Sequence, residues 1–235
     1  MEIQIAVSKI RKYATSNSGD TVEVVERPQG GVSVVLADGQ SSGKGAKSVS
    51  TLVVRKVITL LAEGVRDGAA ARAASDYLFT ERSGRVSSTL NILSFDQQTQ
   101  TLVITRNNPA PALIALQDQI KILDEPCQPV GLYRDTRPVI TEIPVEPGIL
   151  VIAYSDGLIH AGARYGNKLD IVGTLQAFLE DEIPSPQIIA DALLMEALRI
   201  DENRPADDIS IIVLGILPEE RDNIRRMFVR LPLNS

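Results

Sequence analysis

The chain has 235 residues, of which 44% are hydrophobic, and its formal net charge at pH 7 is −6. This length and composition allow one large core, and without a linker or composition shift we expect a single domain over residues 1–235, with 217–235 as a C-terminal extension. The acidic balance disfavours nucleic acid as a partner, no apolar run predicts a membrane span, and the single cysteine, Cys127, favours a cytoplasmic location.

The predicted elements alternate between blocks of strands and pairs of helices. Alternating or β-branched residues predict strands, and apolar residues spaced by three and four predict helices. In chain order the pattern predicts strands at 3–7, 22–25 and 32–36, helices at 49–61 and 70–82, strands at 88–95, 102–106, 112–116, 119–123 and 149–154, helices at 169–179 and 188–200, and a strand at 209–214. This order favours an α+β fold, a layered β-sandwich of two mainly antiparallel sheets flanked by helices, over a strictly alternating βαβ fold.

Four short acidic segments lie where an extended apolar run meets a turn. Their carboxylates are Asp20, Asp38, Asp156 and the adjacent pair Asp207 and Asp208. Strand ends hold side chains rigidly, so carboxylates from distant segments can converge on one cleft, where they repel unless a proton or a cation neutralises them. Because the chain has only one histidine and one cysteine, the favoured cation is Mg²⁺ or Mn²⁺, which prefer oxygen ligands.

The order of these segments resembles that of the metal-dependent serine/threonine protein phosphatases, the PPM family, and within it the bacterial SpoIIE-like branch. The motifs that carry the resemblance are Gly19-Asp20, Asp38-Gly39-Gln40-Ser41-Ser42-Gly43-Lys44-Gly45-Ala46, Ser155-Asp156-Gly157-Leu158 and Asp207-Asp208-Ile209-Ser210. The resemblance runs from about Ile3 to Leu214. Each motif alone is a weak signal, but four of them in the order of the family form a strong one.

The resemblance implies a site for two Mn²⁺ or Mg²⁺ ions. Asp38 would bridge both ions, Asp20 would bind one, and Asp156 and Asp207 would bind the other, with the backbone carbonyl of Gly39 as a further ligand. Two such ions, about 3.5–4 Å apart, activate a water for in-line attack on a phosphate ester and bind the phosphoryl group. The resemblance therefore implies hydrolysis of phosphoserine and phosphothreonine in proteins.

The residues next to the four acidic motifs lead to further predictions about the site. Neighbours on an extended segment face opposite ways, so one of Asp207 and Asp208 is expected to be a ligand, and the family pattern favours Asp207. Ser41 stands where many relatives have glycine, which would stiffen the loop. For phosphate binding, Arg11 and Lys12 are the candidates upstream of Asp20. The only histidine, His160, is expected to support the site or the structure rather than to act as an acid.

The small size of the chain is similar to that of the stand-alone stressosome phosphatases of this branch. This similarity implies phosphorylated stressosome scaffold proteins with STAS domains as substrates, and a free phosphorylated anti-sigma-factor antagonist is the alternative. The stretch from Ile216 to Ser235 is a candidate docking face, and a helix and tail packed over the sheet edge is the other interpretation. The helices at 49–61 and 70–82 are expected to be either a switch or a static part of the core.

Plainer interpretations remain open. An Asp-Gly pair after a strand is also a common hairpin turn, in which the carboxylate accepts local backbone hydrogen bonds. Two other classes of function fit the chain, namely a non-catalytic scaffold or binding module and a metal-dependent hydrolase of small phosphoesters or nucleic acid. Manganese-dependent turnover of an aryl phosphate separates the first from an enzyme, and competition between a phosphoprotein and nucleotides tests the second.

Overall fold

The computed structural model describes residues 1–179, 183–218, 222 and 224–232. In these ranges the strands are β1 (Glu2–Ile10), β2 (Asp20–Glu26), β3 (Gly31–Gly39), β4 (Ser88–Asp96), β5 (Thr101–Asn107), β6 (Ala112–Leu116), β7 (Gln119–Leu123), β8 (Val139–Pro144), β9 (Leu150–Tyr154) and β10 (Ile209–Leu217). The helices are α1 (Gly43–Ala62), α2 (Asp67–Arg82), α3 (Asp156–His160), α4 (Ile171–Leu179) and α5 (Pro186–Ile200). Over the described ranges, no helix combines the length and apolar character needed to cross a membrane.

Two antiparallel sheets form the centre of the described structure. The first sheet has the strand order β1-β10-β9-β6-β7, and the second sheet has the order β2-β3-β4-β5-β8. Neighbouring strands in both sheets run antiparallel. The predicted α+β fold, with two mainly antiparallel sheets flanked by helices, is confirmed.

The side chains of β3 alternate between two cores, as the two-residue period of a strand requires. Val34 and Leu36 pack in the core between the two sheets, whereas Val35 and Ala37 pack in the core formed with α1 and α2. On the other side of the molecule, α4 and α5 cover the outer face of the first sheet. The result is four layers, with helices outside and the two sheets inside.

A buried ion pair joins α2 to the second sheet. Asp67, which is 6% exposed, accepts a hydrogen bond of 2.9 Å from the guanidinium of Arg27 and one of 2.7 Å from the hydroxyl of Ser94. The Ser94 hydroxyl is also 2.7 Å from that of Ser33, and Arg27 donates to the carbonyl of Val65 at 3.0 Å. The first turn of α2 is therefore fixed to the sheet by a connected polar network.

The sequence prediction missed β8 and α3. The strand β8 lies at the edge of the second sheet, paired only with β5 among the described strands, and its side chains are partly exposed. It follows Pro138 and ends at Pro144. Because proline is common in loops and rare inside strands, this sequence is as typical of a loop as of a strand. The helix α3 has five residues, which is too short to show a helical period.

The C-terminal end differs from its predicted form. Because β10 continues to Leu217, the predicted extension begins inside a strand, and Ile216 is buried. Residues 222 and 224–232 are exposed and form neither helix nor strand, so the alternative of a packed helix is wrong for them. The rest of the candidate docking face, at 219–221, 223 and 233–235, lies outside the described residues.

The loop between β3 and α1 contains a residue in the left-handed backbone region. Ser41 has a φ of 77°, which glycine adopts at much lower cost than serine. We expect Ser41→Gly to raise the free energy of unfolding by about 1 kcal/mol, measured by thermal or denaturant unfolding. Gly43→Ala is the matched control, because Gly43 has a φ of 71° and open space around it, and it should lower the stability by a similar amount. Unchanged stability in both variants would contradict this explanation.

Candidate metal centre

Two of the predicted ligands face each other on neighbouring strands. Asp20 on β2 lies opposite Asp38 on β3, and directly opposed residues of an antiparallel pair point to the same face of the sheet. Asp38 continues the row of Val34 and Leu36, the side chains of β3 that pack between the sheets. The alternation that builds the core thus brings both carboxylates to the end of the interior between the two sheets.

Asp20 is a buried carboxylate without a satisfied hydrogen bond. It is 0% exposed, and neither of its carboxylate oxygens has a hydrogen-bond partner among the described residues. Burial raises the pKa of Asp20 to about 6, and the hydroxyls of Ser210 and Ser155 and the carboxyl group of Asp38 partly oppose that shift. An orphaned buried carboxylate is costly unless a proton or cation compensates it, which fits a metal ligand.

Asp38 is the carboxylate on which the charges of the other three act. Burial raises the pKa of Asp38 to about 9, and repulsion by Asp20, Asp156 and Asp207 adds to the effect. Asp156 is the first residue of α3 and lies two residues after the end of β9, and Asp207 lies two residues before the start of β10. Two carboxylates therefore come from the second sheet and two from the ends of the first sheet.

The four carboxylates lie in one region of the structure, but they do not form a closed coordination shell. Among the described residues, no three side chains of His, Cys, Asp or Glu are grouped tightly enough to enclose one ion. The pair of Asp20 and Asp38 is the compact part of the arrangement, and Asp156 and Asp207 act on Asp38 through their charge. Carboxylate oxygens in this number suit Mg²⁺ or Mn²⁺, so the residues present fit a divalent cation.

Asp207 and Asp208 have different surroundings. Both oxygens of Asp208 accept backbone hydrogen bonds, from the N–H of Lys12 at 2.8 Å and from that of Gly19 at 2.7 Å. Asp208 thus anchors the loop before Asp20. Asp207 is half-buried. Burial raises the pKa of Asp207, a hydrogen bond of 2.9 Å from the backbone N–H of Asp208 partly opposes that shift, and the charge of Asp156 adds to it. Asp207 is therefore the one of the two whose carboxylate faces the other acidic side chains.

Two glycines of the motifs are required by close backbone packing. A Cβ atom at Gly39 would overlap the carbonyl oxygen of Ala46 in α1, and a Cβ atom at Gly157 would overlap the carbonyl oxygen of Asp208. Gly39 lets the start of α1 lie against the end of β3. Gly157 lets α3 lie against the segment that carries Asp207 and Asp208. The Asp-Gly pairs thus have a steric function beyond that of a hairpin turn.

Sequence reasoning missed two lysines behind Asp20. The ammonium of Lys9 donates to the backbone carbonyl of Asp20 at 3.0 Å, and that of Lys47 donates to the same carbonyl at 2.8 Å. Lys9 is on β1 and Lys47 on α1, so only the packed structure brings them together. Burial lowers the pKa of both lysines, and the charge of Asp20 opposes that shift. They hold the start of β2 in place.

Other candidates from the sequence lie at the margin of the site or outside it. Arg11 donates to the carbonyl of Ser16 at a distance of 3.5 Å. His160 is exposed at the end of α3, a position that does not support a structural role. The thiol of Cys127 donates to the carbonyl of Asn108, and burial raises its pKa, so this cysteine is not an activated nucleophile.

We expect the metal-free protein to lose stability as the pH rises. The folded state raises the pKa of Asp20 and of Asp38 above the ordinary value of 3.8, so it binds protons more tightly than the unfolded chain does. The resulting stabilisation is complete at low pH and is lost between about pH 4 and pH 9. Thermal melts in a chelator should show the decline, and Asp38→Asn should flatten it. A melting temperature that rises over this range equally in both proteins would contradict the shifts.

The chain is similar in sequence to a known protein family. A family profile described as Stage II sporulation protein E (SpoIIE) matches residues 28–217. Stage II sporulation protein E of Bacillus subtilis is 22% identical over 200 residues, which are 85% of this chain and 24% of that protein. The chain thus spans about a quarter of the length of this relative, and about a third of the one from Priestia megaterium.

Solved structures share the fold. The PP2C phosphatase domain of Bacillus subtilis SpoIIE, solved with a fragment of its regulatory domain, has a TM-score of 0.79 and 21% identity over 92% of this chain and 63% of that one. The structure of RsbX in complex with magnesium has a TM-score of 0.67 and 17% identity, over 90% of this chain and 94% of that one. The layered sandwich described above is therefore the PP2C phosphatase fold.

Proposed function

The chain belongs to the SpoIIE family, and we propose that it is a metal-dependent protein serine/threonine phosphatase. The observation that carries this proposal is Asp20, whose two buried oxygens lack partners among the described residues and lie beside Asp38. A fully buried carboxylate beside a partly buried one is destabilising unless a cation neutralises them, and the oxygen ligands present favour a divalent cation. The fold shared with the SpoIIE phosphatase domain supports the same function.

Each residue of the site has a defined part in this proposal. Asp38 and Asp20 would hold two Mn²⁺ or Mg²⁺ ions together with Asp156, Asp207 and the carbonyl of Gly39. When bound, the ions supply an acidified water and neutralise the charge on the phosphoryl oxygens. The chain itself fixes the ligands, because Asp208 and the two lysines behind Asp20 hold the backbone on either side.

The proposal is tested by phosphate release from phosphoserine peptides. We expect release that depends on Mn²⁺ or Mg²⁺ and stops when a chelator is added. Calorimetric titration with Mn²⁺ checks the site without relying on turnover, and Asp20→Asn should weaken binding. If the protein bound metal but released no phosphate from any phosphopeptide, the assignment as a phosphatase would be wrong. The protein would then be a metal-binding module without catalytic activity.

For the substrate, we propose phosphorylated STAS-domain scaffold proteins of the stressosome, with a free phosphorylated anti-sigma-factor antagonist as the alternative. The support is the resemblance of the motifs to the stressosome phosphatases and the shared fold with RsbX. In keeping with such a substrate, we propose a cytoplasmic location. Steady-state rates on the two phosphoproteins, compared at equal concentration, decide between them.

The exposed C-terminal segment is the candidate docking element for such a protein. Met227 and Phe228 are 73% and 87% exposed, and Arg225 contacts Glu26 at 3.1 Å. Deleting residues 219–235 should reduce dephosphorylation of the protein substrate and spare hydrolysis of an aryl phosphate. Equal loss of both activities would show that the segment is structural.

A further inference from the structure

A groove runs along the outer face of α1, and it begins near the loop that leads to Asp20 of the candidate metal centre. Its volume is about 800 Å³. Its lining includes Asn17, Lys44, Lys47, Arg55, Lys56 and Tyr77. One end lies near the backbone of Asp20, because Lys47 donates to its carbonyl. Asn17 belongs to the loop that leads to Asp20 through Gly19, where a Cβ atom would lie 3.8 Å from a carboxylate oxygen of Asp38. The other end lies between α1 and Tyr77 of α2.

The lining of this groove is basic although the chain as a whole is acidic. Four of the residues named are cations, and the lining includes no Asp or Glu, whereas the chain has a net charge of −6. The negative charges of Asp20 and Glu23 partly neutralise the positive charge of Lys47. Lys44 and Arg55 are exposed, and the ammonium of Lys56 lies 5.5 Å from the centre of the Tyr77 ring. Three of the cations therefore remain to attract an anionic partner.

The spacing of the cations suits an extended peptide. They lie on one side of α1, and from residue 44 to residue 56 the helix extends about 18 Å at 1.5 Å per residue. An extended chain covers this distance with about five or six residues. A peptide whose phosphorylated residue lay at the metal centre would thus place the five or six residues beside it along the groove.

We propose that this groove binds an acidic segment of the phosphoprotein substrate, within about six residues of the phosphorylated side chain. The inference rests on the proposed phosphatase function and names a sequence preference that the function alone does not require. Asp and Glu side chains of the segment would lie against Lys44, Arg55 and Lys56. Opposite charges at an exposed surface contribute through several pairs together, and salt weakens them.

The test uses phosphoserine peptides that differ only in three flanking residues, glutamates in one set and glutamines in the other, placed before or after the phosphoserine. At low salt, kcat/KM should be about tenfold higher for the better acidic peptide than for its glutamine counterpart, mainly through KM. In the double variant Arg55→Glu, Lys56→Glu the ratio should fall to about one or below. The double variant Arg72→Glu, Lys121→Glu changes the net charge equally at exposed positions outside the groove and should keep the ratio.

Fluorescence anisotropy with an unphosphorylated acidic peptide measures the groove independently of turnover. If no phosphopeptide is hydrolysed but the wild type binds this peptide better than the Arg55, Lys56 variant does, the phosphatase function fails and the groove assignment stands. Equal rates on acidic and glutamine peptides, or the same loss in both double variants, would overturn the groove. Tighter binding of a single-stranded oligonucleotide of equal charge would also overturn it, in favour of a nucleic-acid site.

Discussion

Replacing Asp38 by asparagine is expected to lower metal-dependent phosphate release by about a hundredfold to a thousandfold, the scale of losing one preorganised group that stabilises charge. Asparagine keeps the size of the side chain and removes its charge. Asp38 lies opposite Asp20 across two strands, and the charges of Asp20, Asp156 and Asp207 all act on it. Steady-state kinetics at saturating Mn²⁺ measure the effect.

The same substitution should make the metal-free protein more stable, because it removes one of the mutually repelling carboxylates. If activity is lost while the melting temperature rises, the substitution has damaged the metal site and not the fold. Asp118→Asn is the control, since Asp118 is exposed in the turn between β6 and β7 and its loss should affect neither quantity. Near-normal turnover of Asp38→Asn would remove Asp38 from the site.

Replacing Asp67 by alanine is expected to lower the free energy of unfolding by about 3–5 kcal/mol. The side chains of Asp67 and Arg27 are each 8% exposed, so the substitution leaves a buried guanidinium without its carboxylate. It also removes the acceptor of the Ser94 hydroxyl, which fixes the start of α2 to the sheet. Urea unfolding followed by circular dichroism measures the change.

Glu196→Ala provides the comparison for Asp67. Glu196 also binds an arginine, Arg199, at 2.6 Å, but the two side chains are 32% and 69% exposed. Solvent screens an exposed pair of this kind, so this variant should be close to wild type in stability. A cost for Asp67→Ala as small as that for Glu196→Ala would show that the buried network does not hold α2 in place.

The parts of the fold that could be predicted are those whose side chains repeat regularly. The alternation of Ile3, Ile5 and Val7 in β1 is visible in the sequence, and so is the helical spacing in α1. The edge strand β8 could not be predicted, because half-exposed residues between prolines carry no clear period. Strongly buried elements leave a pattern, and weakly buried ones do not.

The candidate site was predictable to the extent that its residues lie in short motifs. The order of the motifs predicts Asp20 and Asp38 as site residues. In the structure the two residues lie opposite each other on neighbouring strands. The contacts of Lys9 and Lys47 with the carbonyl of Asp20 were not predictable, because they join residues on three elements through a backbone atom that has no sequence signature. The groove along α1 depends on α2 supplying its far wall, which the sequence of either helix alone does not show.

The origin of the four carboxylates has a thermodynamic consequence. Asp20 and Asp38 belong to the second sheet, and Asp156 and Asp207 flank strands of the first, so a cation held by both pairs fastens one sheet to the other. Such a ligand binds the folded chain and not the unfolded one, and its stabilisation grows with the logarithm of its free concentration. The resistance of this protein to unfolding would then vary with the supply of divalent metal in its surroundings, so that scarcity of the ion would remove folded protein from the population as well as slow each molecule that remains.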